Sequence, residues 1–132
     1  MAGLIYLDAS AIVKLVVDEP ETIALRTALR GRPQRVSSAL ALVEVHLAAD
    51  RRIPSPPRGR VDTILAGLAL LPIDHAVLEE AARLGPLGVR ALDAIHLATA
   101  HSLGDDLEAL VAYDLRLLEA AESSGLPVEQ PR

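Results

Sequence analysis

Four carboxylates are the residues of this chain best suited to chemistry: Asp8, Glu44, Asp93 and Asp114. Each has a plain alternative. Asp8 and Asp114 stand directly before helical stretches and could do no more than cap them. Asp93 falls in the first turn of a helical stretch, where a negative charge complements the helix dipole. Glu44 is harder to place, because Leu42, Val43, Val45 and Leu47 surround it. A carboxylate turned toward a core is costly unless it is paired or bound to a cation; a solvent-facing position on an amphipathic helix is the ordinary alternative. Asp93, among Leu92, Ala94, Ile95 and Leu97, raises the same question.

Converging on one cleft, the four would repel one another. Two unit charges 4 Å apart interact by about 1 kcal/mol in water and about 4 kcal/mol at an effective dielectric of 20. Protons or a metal ion must offset that. Oxygen donors with no His or Cys at the centre favour Mg²⁺ or Mn²⁺, and Mg²⁺ keeps several of its waters, so one or two carboxylates bind it directly. Such a site can activate water and stabilise charge on a phosphodiester.

Other candidates carry weaker signals. Ser10 can cap the first helix or orient the acidic site, and both roles can hold together. His96 follows Asp93 by three residues, which puts both near one helix face; a packed or dimer-facing histidine is the commoner role for such a residue than a metal ligand. Lys14 and Arg116 could contact phosphates, with surface or salt-bridge roles as the alternative. No Gly-x-Ser-x-Gly elbow and no Gly-rich phosphate loop occurs. An Asp-nucleophile phosphatase would need an Asp-x-Asp opening, and position 10 is Ser. With no cysteine in the chain, disulfides, thiolate metal sites and Cys nucleophiles are excluded.

The elements that must position these residues follow from apolar runs and breakers. Gly3–Leu7 is predicted as a buried strand ending at Asp8, and Ala9–Val17 as a helix stopped by Pro20. Helices are expected over Glu21–Arg30 and over Ala39–Arg52, the latter capped by Ser38 after a short strand at Arg35–Ser37. Ile53–Pro57 is the clearest loop. A helix from about Arg60 to Leu70 leads into a short strand at Leu71–Asp74. Ala76–Leu84 is helical and is closed by Gly85-Pro86 and Gly88. Ala91–Leu103 is apolar nearly all round, the mark of a buried helix. Ala109–Tyr113 is a strand candidate, Asp114–Ser123 a helix stopped near Gly125, and Val128 lies in a last edge strand. Short apolar strands alternating with helices imply a doubly wound α/β domain with a parallel sheet covered on both faces. Sites in such sheets form outside the carboxyl ends of the strands, where Asp8 and Asp114 fall.

The 132 residues suit one domain, spanning 1–132. Aromatic residues make up only 2% of the chain, so base stacking has just Tyr6 and Tyr113 to draw on, and both sit in apolar runs that look buried. The net charge of −5 tells against a generic nucleic-acid binder. The arginines are clustered, however, at Arg26, Arg30, Arg32 and Arg35 and at Arg51, Arg52, Arg58 and Arg60, so a basic rim around an acidic centre is possible; ordinary surface charge is the commoner role for any one of them. No signal peptide and no membrane-spanning run is read, and a cytoplasmic protein is expected.

Four segments, in order, carry a resemblance: Leu-Ile-Tyr-Leu-Asp-Ala-Ser-Ala-Ile-Val-Lys-Leu, Val-Ser-Ser-Ala-Leu-Ala-Leu-Val-Glu-Val, Arg-Ala-Leu-Asp-Ala-Ile-His-Leu-Ala-Thr-Ala and Val-Ala-Tyr-Asp-Leu-Arg-Leu. From Leu4 to about Val128 the chain resembles PIN-domain ribonucleases, specifically VapC-type toxins of toxin–antitoxin pairs. The resemblance implies a three-layer α/β/α sandwich around a short parallel sheet. It implies that Asp8 and Asp93 are principal metal ligands, that Glu44 and Asp114 complete a catalytic, metal-holding set, and that Ser10 orients the site. The implied activity is Mg²⁺- or Mn²⁺-dependent endonucleolytic cleavage of RNA through a metal-activated water. The implied partners are a VapB-like antitoxin and a second toxin copy. A catalytically silent PIN-like scaffold that only binds protein is the non-enzymatic alternative.

Overall fold

The structure, a computed structural model, describes residues 2–132. Five strands, β1 (Leu4–Leu7), β2 (Arg35–Ser38), β3 (Ala69–Leu71), β4 (Leu107–Val111) and β5 (Val128–Glu129), form one sheet in the order β3-β2-β1-β4-β5. Every neighbouring pair is parallel. Seven α-helices connect them among the described residues: α1 (Ala9–Val16), α2 (Thr22–Leu29), α3 (Leu40–Asp50), α4 (Arg58–Ala66), α5 (His75–Ala82), α6 (Ala91–His101) and α7 (Leu115–Ser123). The chain winds outward from β1 through β2 to β3, then returns to place β4 on the other side of β1. The strand order therefore reverses between β1 and β4, and in open α/β sheets the crevice at such a switch point is the natural place for a site.

Alternation along the central strands divides the core into two layers. Ile5 and Leu7 of β1, with Ala109 and Val111 of β4, pack against Ile12 and Val16 of α1, Leu25 and Leu29 of α2, Val45 of α3 and Val61 of α4. Tyr6 and Leu110 face the opposite way, against Leu97 and Ala100 of α6 and Leu117 and Ala121 of α7. Helix α5 lies on α6. This is the three-layer α/β/α sandwich around a parallel sheet expected from the sequence, with aliphatic side chains filling a core that lacks Phe and Trp. None of the helices of the described residues is long and apolar enough to cross a membrane.

Several boundaries differ from the sequence reading, for identifiable reasons. Helix α4 stops at Ala66, with Gly67 as its C-cap, so β3 begins at Ala69 and ends before Pro72. Asp74, expected in that strand, is instead the N-cap of α5, its Oδ1 accepting from the Val77 N–H at 2.9 Å. Strand β4 spans Leu107–Val111, not Ala109–Tyr113. Glu108 alternates outward and hides the strand's beginning from an apolar-run reading, while the Tyr113 N–H leaves the ladder to donate to Ser10 Oγ. Ser38 closes β2 rather than occupying the cap position of α3, yet its Oγ still accepts from the Leu40 N–H at 3.1 Å. Helix α6 is buried from Ala94 onward only, since Leu92 in its first turn is 49% exposed. Tyr6 is fully buried as expected; Tyr113 is half-buried.

Leu110 has no exposed surface and sits mid-strand between β1 and β5. Truncating it should leave a cavity the sheet cannot collapse around. Leu110→Ala is expected to lower the unfolding free energy by about 2–5 kcal/mol, and Ile23→Ala on the exposed surface of α2 by about 0.5 kcal/mol or less, as read by urea denaturation.

Candidate active site

Strand β1 delivers Asp8 to the switch point. The residue is the N-cap of α1 and only 4% exposed. Its backbone N–H donates to the Val111 carbonyl at the end of β4, at 3.2 Å. Its Oδ1 accepts from the Ala11 N–H at 3.0 Å and from the Ser10 hydroxyl at 2.6 Å. Ser10 Oγ in turn accepts from the Tyr113 N–H at 2.8 Å. Ser10 therefore ties Asp8 to the segment that leads from β4 to Asp114, and the capping bond belongs to Asp8 itself.

Helices from both faces of the sheet bring the other acids. Glu44 is half-buried on α3, and its Oε1 lies 2.6 Å from His96 Nε2 on α6. Asp93 is half-buried in the first turn of α6. Asp114 is exposed and caps α7, its Oδ1 accepting from the Arg116 N–H at 2.9 Å. The four are electrostatic neighbours. Burial first, and the Glu44 charge among the lesser causes, push the Asp8 carboxyl up to about 6, against the opposing effects of the Ser10 bond, His96 and the Ala11 N–H. Burial, then the charges of Asp114 and Glu44, raise Asp93, while His96 and Arg90 oppose the shift. The sequence-predicted set is thus brought to one end of the sheet, with Asp8 at its floor and Asp114 at its lip.

Most apolar neighbours of Glu44 face outward, while Val45 enters the core. Leu42, Val43 and Leu47 are 48–55% exposed, and α3 buries Ala41, Val45 and Ala49 instead. Most arginines of the two sequence clusters serve the fold. Arg32 pairs with Glu129 and Glu108, Arg52 with Glu19, and Arg26 with Asp18, while Arg35 and Arg60 donate to backbone carbonyls. Lys14 pairs with Glu19 and Glu21 and lies over the Tyr113 ring, 4.7 Å from its centre. His96 is the neighbour that sequence reasoning left undecided. It is 2% exposed and borders Asp8, Glu44 and Asp93. Its three-residue spacing from Asp93 was the available signal; nothing in the sequence pointed to its other partner, Tyr6.

No three Asp, Glu or His side chains among the described residues are posed together as chelating ligands. The donor set nevertheless fits a hard divalent cation. The protein's bonds to Asp8 and Asp114 fall on Oδ1 in each case, and the bond to Glu44 on Oε1, which leaves a second oxygen on each carboxylate. One or two direct carboxylates are what Mg²⁺ requires. Like charges gathered in a partly buried cleft are also what a cation relieves.

The raised Asp8 carboxyl has a consequence for stability. A group whose folded-state value lies above its unfolded one stabilises the fold at low pH and withdraws that contribution as pH rises through the folded value. Moving from 3.8 to about 6 costs the ionised fold about 3 kcal/mol. Asn keeps an oxygen for the Ala11 and Ser10 bonds and carries no charge. Metal-free Asp8→Asn should therefore be more stable than wild type at pH 7.5, by up to about 3 kcal/mol, with the advantage vanishing near pH 4. Chemical denaturation at the two pH values checks this.

Residues 5–123 match the family model described as the PIN domain. The chain is 52% identical over 128 residues to ribonuclease VapC46 of Mycobacterium tuberculosis, covering 96% of this chain and 97% of the relative. It is 43% identical to ribonuclease VapC35 of the same species over 131 residues, covering 97% of each. Among solved structures, a DNA-bound VapBC from Salmonella typhimurium superposes with a TM-score of 0.76 over 98% of each chain at 21% identity, a likeness of fold. The match runs over nearly the whole sandwich, and the chain belongs to the PIN-domain family, among its VapC ribonucleases.

Proposed function

We propose that this protein is a metal-dependent endoribonuclease that acts as the toxin of a toxin–antitoxin pair. The observation that carries the reading is the gathering of Asp8, Glu44, Asp93 and Asp114 at the carboxyl end of β1 and β4. Kinship over nearly the full length with ribonucleases supports it and tells against an Asp-dependent phosphatase. Asp8, Glu44, Asp93 and Asp114 would hold Mg²⁺ or Mn²⁺, directly or through water. Bound there, the ion supplies charge neutralisation at the scissile phosphate and a water acidic enough to act at neutral pH.

The protein's own contribution is to place and shield these groups. Ser10 and the Ala11 N–H fix Asp8 Oδ1. The α7 cap holds Asp114 at the lip, where an extended polyanion could reach it. Arg90, close enough to oppose the Asp93 shift, and Arg116, two residues beyond Asp114, are the cations best placed to meet the RNA backbone. A VapB-like antitoxin and a second copy of the toxin are the proposed protein partners. The exposed Leu42, Val43 and Leu47 of α3, beside Glu44, offer an apolar face suited to such contact. A cytoplasmic location is proposed with the RNA substrate.

Purified protein should cleave a mixed RNA pool with Mg²⁺ or Mn²⁺ and not with EDTA. Asp93→Asn should lower the rate roughly a hundredfold or more, the scale lost when one charge-stabilising group is removed. Metal-independent cleavage, or full activity in Asp93→Asn, would overturn the site. Absence of both cleavage and metal binding would favour the silent scaffold.

The rim reading has its own test. Arg90→Ala should weaken RNA binding across sequences and reduce the dependence of log K on log[salt] by about one ion's worth. An unchanged slope in filter binding would remove Arg90 from the rim.

A further inference from the structure

His96 joins the hydrophobic core to the acidic crevice through a line of two hydrogen bonds. The buried Tyr6 hydroxyl lies 2.7 Å from His96 Nδ1, and Nε2 lies 2.6 Å from Glu44 Oε1. The phenol and imidazole meet edge to face with ring centres 5.9 Å apart, so the ring plane is fixed as well as its nitrogens. Tyr6 and His96 are 0% and 2% exposed, while Glu44 is half-buried at the crevice. A carboxylate oxygen accepts, so the hydrogen of the Glu44 contact is the one on Nε2. With that hydrogen on Nε2, Nδ1 is left to accept from the Tyr6 hydroxyl.

We propose that His96 is a positioning residue: held by Tyr6, it fixes Glu44 through Oε1 and leaves Oε2 presented to the cation. The inference rests on the metal-site reading above. It assigns His96 neither to direct ligation nor to core packing alone. Three features favour it. Both ring nitrogens are already engaged, so neither is free to ligate without breaking a short bond. Glu44 comes from α3 on one face of the sheet and His96 from α6 on the other, so without this bond no hydrogen bond holds the Glu44 carboxylate among the described residues. The imidazole also lies among three carboxylates, where a fixed N–H donor offsets repulsion that would splay the long Glu44 side chain outward.

The test measures Mn²⁺ affinity of RNA-free protein, from the free-ion electron paramagnetic resonance signal, with thermal melting as the folding control. His96→Leu preserves bulk and removes the donor; its affinity should fall about tenfold or more. His96→Gln, whose amide nitrogen can replace Nε2, should recover most of that loss, which a packing role would not predict. Adding His96→Leu to Glu44→Gln should weaken binding no further than Glu44→Gln alone, because the histidine acts through the glutamate. Tyr6→Phe removes only the hydroxyl and should cost a smaller part of the affinity, which keeps the test open if His96→Leu fails to fold. Equal affinity in wild type, His96→Leu and Tyr6→Phe overturns the positioning while leaving the metal site standing. Tighter binding in His96→Leu overturns it too, since the histidine would then compete with the ion for Glu44. Wild type that binds no Mn²⁺ overturns the metal site and this inference together.

Discussion

Asp8 has almost no exposed surface, and its neighbours include further carboxylates. An ionised group so placed is stabilised only by what the fold aims at it. The backbone N–H of Ala11 and the hydroxyl of Ser10 meet one oxygen, and the first turn of α1 adds the positive end of its dipole. These do not fully offset the loss of water, as the raised carboxyl shows. The remaining deficit is a driving force for binding a cation. A site that were already neutral would have less to gain from the metal. The destabilised carboxylate and the proposed cofactor are therefore two views of one electrostatic imbalance.

The sheet topology makes that imbalance possible. Reversal of strand order between β1 and β4 separates the helices that follow them and leaves a crevice at the strand ends. Asp8 enters from β1 and Asp114 from just beyond β4. Ser10 stitches the two segments through Asp8 Oδ1 on one side and the Tyr113 N–H on the other. Glu44 and Asp93 come from α3 and α6, helices on opposite faces of the sheet that meet at its carboxyl end through the His96 contact. The site is consequently as rigid as the packing of its two helical layers, and Tyr6 on the central strand couples it to the core.

The sequence disclosed the parts of this arrangement that depend on local pattern. An apolar run located β1, short strands were expected where β2 and β5 lie, and capping logic placed Asp8 and Asp114. Boundaries failed where side chains redirected the backbone: Asp74 captured a helix start from a predicted strand, and Glu108 concealed the beginning of β4. The apolar neighbours of Glu44 divide, since Val45 enters the core while Leu42, Val43 and Leu47 face outward, so sequence proximity alone could not orient its side chain. The ordinary role expected of most arginines in the two clusters holds, but their particular partners were not legible in the sequence. Their partners, such as Glu129 for Arg32 and Glu19 for Arg52, lie up to 97 residues away and have no local signature. The Tyr6–His96–Glu44 line spans three elements and is equally invisible in one dimension, although the Asp93–His96 spacing hinted at its middle member.

The acidic net charge is less of an obstacle to RNA binding than the composition suggests. At physiological ionic strength the Debye length is about 8 Å, so exposed charges farther from the crevice than that are largely screened there. What matters is the balance within that radius. Arg26, Arg32, Arg52 and Lys14 are committed to carboxylates and contribute little net field. A divalent ion would cancel much of the charge of the four acids, and Arg90 and Arg116 stand beside Asp93 and Asp114. On the proposed reading, the crevice would repel phosphate without the metal and accept it once loaded. The cation would then govern substrate binding as well as chemistry, and the protein's acidic net charge would confine its attraction for RNA to the proposed site.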